Sequence, residues 1–145
     1  MSKLDDILAE WEKDSKIDTT EPGREMLNIP ILHSKYLNIL SKHRLLLKDT
    51  EIKILKLKKI KWEYYTGKMD EKTLKEYEWK QFPYVLKSDI STYLDSDEDL
   101  CKLKLNKALL EEIIEVCTSI MKELNSRTFQ LKAAIDYEKF IQGVN

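Results

Sequence analysis

From Ile31 to Tyr65, and again from Glu98 to Phe140, the chain contains neither proline nor glycine. Proline removes a backbone donor, and glycine carries the largest entropic cost of ordering. Two long stretches free of both, rich in Leu, Lys and Glu, therefore predict long unbroken helices. The apolar residues supply the period. In the first stretch Leu40, Leu47 and Ile54 recur at sevens, with Tyr36, His43, Thr50 and Leu57 as a companion row. In the second, Leu103, Leu110, Cys117, Leu124 and Leu131 fall at sevens, and Ile113 and Ile120 fill the second row. Asn106, Arg127 and Ala134 interrupt that row, while Ile114, Met121 and Ile135 widen the stripe. A stripe this wide exceeds the seam of a two-stranded coiled coil and suits a bundle or a helical oligomer.

The fold class expected is all-α, with two long helices as its frame. One domain is expected over residues 1–145: a short helix over 3–14, a long basic helix over 31–65 and a long C-terminal helix over 98–140. Ser2 is an N-cap candidate for the first helix, which carries Leu4, Ile7, Leu8 and Trp11 on one side. Residues 17–23 read as a turn, followed by a short helix over 22–28 that stops before Pro30. Gly67 marks the end of the basic helix. A helical turn is expected around 71–79 and a break near Pro83. Residues 88–99, polar and acidic, read as a flexible connection, with Asp97 as the N-cap of the last helix.

The charge is unevenly placed. The formal net charge is −1, which excludes a generic polyanion binder, yet residues 42–61 carry eight basic side chains against two acids. Residues 1–25 carry eight acids against four bases. Lys53, Lys56, Lys58, Lys59 and Lys61 fall within nine positions with no acid among them, and Trp62, Tyr64 and Tyr65 follow at once. Lysines neutralise phosphates, and flat aromatic rings stack on unpaired bases. The candidate single-stranded nucleic-acid contacts are therefore Lys53, Lys56, Lys58, Lys59, Lys61, Trp62 and Tyr64. The alternative is a solvated helix face ending in core aromatics.

Catalytic chemistry finds little support. Three scattered glycines cannot build a phosphate-binding loop. His33 and His43 lack partners at metal-ligand spacing, so neither a metal nor a cofactor is expected. Adjacent His33 and Ser34 do not face each other on a helix, Cys117 lies on the apolar stripe, and Glu111, Glu112 and Glu115 fall on the outer face of theirs. No catalytic residue is assigned and no enzyme is expected. Two cysteines without close spacing fit a reducing compartment. The acidic first fifteen residues are unlike a secretory signal, and no run nears the ~18 apolar residues of a membrane span, so an intracellular location is expected.

Certain segments, in shared order and spacing, resemble the UvsY family of recombination mediators from T4-like phages. They are Ile17-Asp18-Thr19-Thr20, Leu32-His33-Ser34-Lys35-Tyr36-Leu37 and Tyr64-Tyr65-Thr66-Gly67, then Ser126-Arg127-Thr128-Phe129, Lys132, Ile135 and Phe140. The resemblance runs nearly end to end, although this chain is a few residues longer between about 90 and 100. It implies an all-helical, ring-shaped homo-oligomer, a heptamer, without catalytic activity. It implies binding of single-stranded DNA and loading of a RecA-like recombinase, UvsX, onto strands covered by the phage single-strand-binding protein. The implied setting is phage recombination, repair and recombination-dependent replication in the cytoplasm of the infected bacterial host. The family's basic pair falls on Lys59 and Lys61, the second commonly being arginine. The family's C-terminal part is linked to ring assembly, which assigns self-association to Leu103, Leu110, Ile113, Cys117, Ile120, Leu124 and Leu131. The rival reading is a structural coiled-coil or helical adaptor protein whose lysine face has no DNA role.

Overall fold

The computed structural model describes residues 2–143. All regular structure among them is helical: α1 (Lys3–Asp14), α2 (Pro22–Tyr65), α3 (Glu71–Tyr77), a short 3-10 turn (Lys87–Asp89), α4 (Ile90–Ser96) and α5 (Glu98–Ile141). No helix among the described residues is long and apolar enough to cross a membrane. The chain divides into two compact units, one comprising the chain up to Leu45 together with the chain from Leu110 on, the other Leu46–Leu109. Both α2 and α5 contribute residues to each.

Two local expectations are corrected. Pro30 does not separate a short helix from a long one, because α2 runs unbroken from Pro22 to Tyr65. Pro22 opens it at a position where a missing N–H costs nothing, and Pro30 lies exposed, where the carbonyl its ring leaves unpaired can turn to water. Residues 88–99 are not a flexible connection: Ile90–Ser96 form α4, which buries Leu94.

In the first unit, α1 starts from a capping box in which Ser2 and Asp5 satisfy each other's backbone N–H groups. Its Ile7 packs with Leu32, Tyr36 and Leu40 of α2 and with Ile113, Cys117, Ile120 and Leu124 of α5 in one buried cluster. Trp11 meets Tyr36 edge to face at 5.6 Å between centroids. The Tyr36 hydroxyl donates to Asp14 at 2.7 Å, and Lys35 reaches both Glu10 and Asp14 at 2.7 Å. Arg127, which interrupts the apolar row of α5, is only 2% exposed. Its guanidinium donates to the carbonyls of Asp14 and Ser15, each at 3.2 Å, and lies 5.5 Å from the Trp11 ring centroid. It thereby satisfies carbonyls left over at the negative end of α1.

This packing corrects the expected subunit contact. Ile113, Cys117, Ile120 and Leu124 are core within one chain, Leu110 and Leu131 are buried too, and Leu103 alone of the row is half-buried. The stripe is wide because α5 meets both α1 and α2, which takes up its apolar face before a second copy can. Truncating a buried leucine costs about 2–5 kcal/mol, and an uncompensated carboxylate costs more. Leu124→Asp is therefore expected to unfold the first unit, seen as loss of helical circular dichroism, rather than to yield a folded protein of lower mass.

In the second unit, α2 ends in a paired-hydrogen-bond cap. Gly67 adopts φ +74°, its N–H donates to the Tyr64 carbonyl at 3.2 Å, and Lys68 N–H donates to Glu63 at 2.9 Å. Asp70 caps α3 through Thr73 N–H at 2.7 Å, and Asp97 caps α5 through Leu100 N–H at 2.9 Å. Between α2 and α5 lies a buried ion pair. Lys61 Nζ is 3.0 Å from Asp97 and 2.8 Å from Asp99, and the Tyr65 hydroxyl donates to Asp97 at 2.6 Å. The same ammonium stands 4.2 Å from the Trp79 ring centroid. Burial pushes the Asp97 carboxyl up, but the hydrogen bonds from Tyr65, Leu100 N–H and Lys61 outweigh it and hold the group below its ordinary value. Burial pushes the Lys61 ammonium down, and its two carboxylates outweigh that in turn, leaving it raised.

Removing one partner from such a pair costs about 3–5 kcal/mol because the other charge is left buried. Lys61→Met should lose that much in chemical denaturation, and adding Asp97→Asn, which keeps the cap acceptor, should recover most of it. The depressed Asp97 contributes stability that is present above its unfolded value of about 3.9 and is lost as pH falls through the lower folded value. The raised Lys61 contributes stability that is complete below about 10.4 and is lost as pH rises through the higher folded value. Thermal melts should decline on both sides of that window, less steeply in the double variant.

Candidate nucleic-acid interface

The wheel of α2 separates the five lysines. The row Leu40, Leu47, Ile54 continues at the next seven to Lys61, which is 5% exposed. Lys61 is thus part of the packed stripe, and its charge is neutralised by Asp97 and Asp99. The expectation that it contacts DNA is corrected on that ground. Lys53, Lys56, Lys58 and Lys59 are exposed. Lys53 pairs one turn back with Asp49 at 3.0 Å, whereas no ion pair engages Lys56, Lys58 or Lys59 among the described residues. Like charges left uncompensated on one helix raise the local positive potential.

The aromatic trio is split as well. Tyr64 packs against Trp79 and Phe82 at 5.0 and 5.4 Å, and its hydroxyl donates to the Lys80 carbonyl at 2.9 Å. With Lys61 it lines a depression that also holds Asp97, Glu98 and Asp99, an arrangement that repels phosphate. Tyr64, expected as a DNA contact, is half-buried and its ring is packed in this aromatic group. Tyr65 stacks on Tyr93 and meets Phe82 edge-on at 4.8 Å. Trp62 points the other way: it is 40% exposed, and Lys68 Nζ stands 4.3 Å from its ring centroid.

Trp62 separates two hollows of the second unit. On one side, Leu55, Lys58, Lys59 and Leu94 join it around a shallow depression of about 300 Å³. On the other, a cavity of about 720 Å³ is lined by Trp62, Tyr65, Lys68, Phe82, Tyr84 and Lys87, among others. The Gly67 turn brings Lys68 back over Trp62, and the 79–86 segment brings Phe82 and Tyr84. Sequence reasoning missed Lys68, Phe82, Tyr84 and Lys87, because they lie after the helix whose charge run drew attention. The available signal was Phe82-Pro83-Tyr84, two aromatics around a proline in a segment without apolar period. Among the described residues no group of three or more His, Cys, Asp or Glu side chains is placed to hold a metal ion.

This combination of unpaired lysines and an open aromatic ring suits a flexible polyanion carrying planar bases. Known proteins point the same way. A family profile described as "Recombination, repair and ssDNA binding protein UvsY" matches residues 10–144. The recombination protein uvsY of Enterobacteria phage T4 is 29% identical over 147 residues, covering 97% of this chain and 98% of that protein. A crystal structure of the bacteriophage T4 recombination mediator protein UvsY, in lattice type II, superposes with a TM-score of 0.84 at 25% identity, over 98% of this chain and 99% of that one. The lattice type I form gives 0.81 at 26% identity, over 93% and 98%. By profile, sequence and fold together, the chain belongs to the UvsY family of recombination, repair and single-stranded-DNA-binding proteins.

Proposed function

We propose that this protein is a non-enzymatic recombination mediator. It holds single-stranded DNA on the lysine face of α2 and passes the strand to a RecA-like recombinase in place of the phage single-strand-binding protein. The observation that carries the reading is the pair Lys58 and Lys59 beside the open Trp62, with Lys56 exposed one turn back: cations without intrachain ion pairs, two of them next to a ring able to stack. Nothing in it reads base edges, so binding is largely indifferent to sequence. Of the family's basic pair, Lys59 stays open while Lys61 is engaged inside the fold, and the neighbouring Lys58 supplies a second open charge. A few ammonium groups give weak, salt-sensitive affinity, and repetition around a ring lets one strand engage several copies through effective concentration. Many weak contacts remain exchangeable, which a factor that must surrender its strand requires.

Assembly is assigned to a different surface from the heptad row. On α5, Phe129, Ala133, Tyr137 and Phe140 share one face, opposite Leu124 and Leu131, and are all exposed. Phe129 is 75% and Phe140 81% exposed. Contiguous exposed apolar side chains mark interaction surfaces, and the occupant proposed is a second copy within a heptameric ring. Tyr137→Ser with Phe140→Ser should stay helical by circular dichroism yet lose mass in sedimentation. Its DNA affinity should fall with every lysine intact.

Fluorescence anisotropy with single-stranded oligonucleotides across a salt series tests the DNA assignment. Lys58→Ala with Lys59→Ala should weaken binding and lower the log–log salt slope by about 1.4, at ~0.7 for each phosphate no longer neutralised. Trp62→Ala should cost about 1–3 kcal/mol for each base it stacks and leave the slope unchanged. A double lysine variant with wild-type affinity and slope would overturn the assignment and favour the adaptor reading.

A further inference from the structure

We propose that the cavity beside Trp62 draws a single nucleobase out of the bound strand. The inference rests on the single-stranded-DNA reading above and deepens it by assigning a second kind of contact. Trp62 on the lysine side offers one open ring. The cavity offers a surround of about 720 Å³, in which Trp62, Tyr65 and Phe82 supply aromatic faces and edges. Phe82 is already held, by Tyr65 at 4.8 Å, Tyr93 at 5.2 Å and Tyr64 at 5.4 Å, so this wall is formed before any ligand arrives.

The polar lining selects the ligand. The Gln81 amide and the Ser91 hydroxyl line the cavity, and neither has a hydrogen-bond partner among the described residues. An amide and a hydroxyl each donate and accept, which matches the mixed edge of a base and is superfluous for a purely apolar ligand. Lys68 and Lys87 are its charged lining residues, with no carboxylate among them. A base entering the cavity brings its own phosphates to that basic rim. Trp62 lines both hollows, so a strand crossing the lysine face can turn one base past the indole into the cavity. A lodged base would fix the position of the strand on each subunit, which lysines alone cannot do.

The test compares a thymidine oligonucleotide with an oligomer of abasic sites of equal length, by anisotropy at fixed salt. Wild type, Ser91→Trp and Tyr84→Ala are measured. Ser91 and Tyr84 are exposed and line the cavity, and Ser91→Trp fills it while leaving every lysine in the chain. Wild type should prefer the base-bearing strand about tenfold. Ser91→Trp should cut that preference by at least about threefold while its affinity for the abasic oligomer is unchanged, with Tyr84→Ala shifting the same way. Should Ser91→Trp lose its helical signal, Tyr84→Ala decides alone. An undiminished preference in the variants, equal weakening toward both oligomers, or no preference in wild type overturns the cavity's role. Failure of wild type to bind either oligomer overturns the DNA reading itself.

Discussion

The end of α2 depends on the buried ammonium of Lys61. A lysine on the packed stripe of a helix costs several kcal/mol unless its charge is met, and here it is met by two carboxylates from the start of α5. Asp97 performs three tasks with one side chain: it balances Lys61, accepts the Tyr65 hydroxyl and caps α5. That arrangement fixes the rotation of α2 about its axis. With Lys61 and Tyr65 turned inward, Trp62 and Lys59 must turn outward, because adjacent helical residues differ by about 100°. The exposure of the candidate site follows from an ion pair that takes no part in it.

The first unit answers a similar problem with different chemistry. Arg127 also breaks an apolar row, but no carboxylate takes its charge directly. Its planar fork spans the last carbonyls of α1 and lies against Trp11. A lysine at that place would have one point charge for two carbonyls. Each long helix thus carries one buried cation at a heptad position, and each cation ties that helix to another element of the same unit. The lysines that remain exposed are those off the stripe.

Open lysines and packed aromatics alternate along a short piece of chain. Lys56, Lys58 and Lys59 are exposed and make no ion pair among the described residues, while Lys61 and Tyr65 are tied to Asp97. Phe82 is buttressed by Tyr64, Tyr65 and Tyr93 and faces the cavity. A preformed aromatic wall lowers the ordering cost of any base that meets it.

Much of this was legible in the sequence. Absence of proline and glycine, sevenfold apolar spacing, and the caps at Ser2, Gly67 and Asp97 determined the helices and most of their ends, since these are local effects of backbone sterics and hydrogen bonding. The heptad row, carried one step further, already placed Lys61 with the buried residues, against the lure of the lysine run. Pro30 and α4 misled because proline's penalty and an acidic composition are only local preferences, and packing of Leu94 outweighs the second. What tertiary structure alone decided is which partner covers each face. The stripe of α5 reads the same whether it meets α1 and α2 or a second copy, because burial is non-directional. The gathering of Lys68, Phe82 and Tyr84 around Trp62 likewise depends on a turn and an aperiodic segment, for which no periodicity exists to be read.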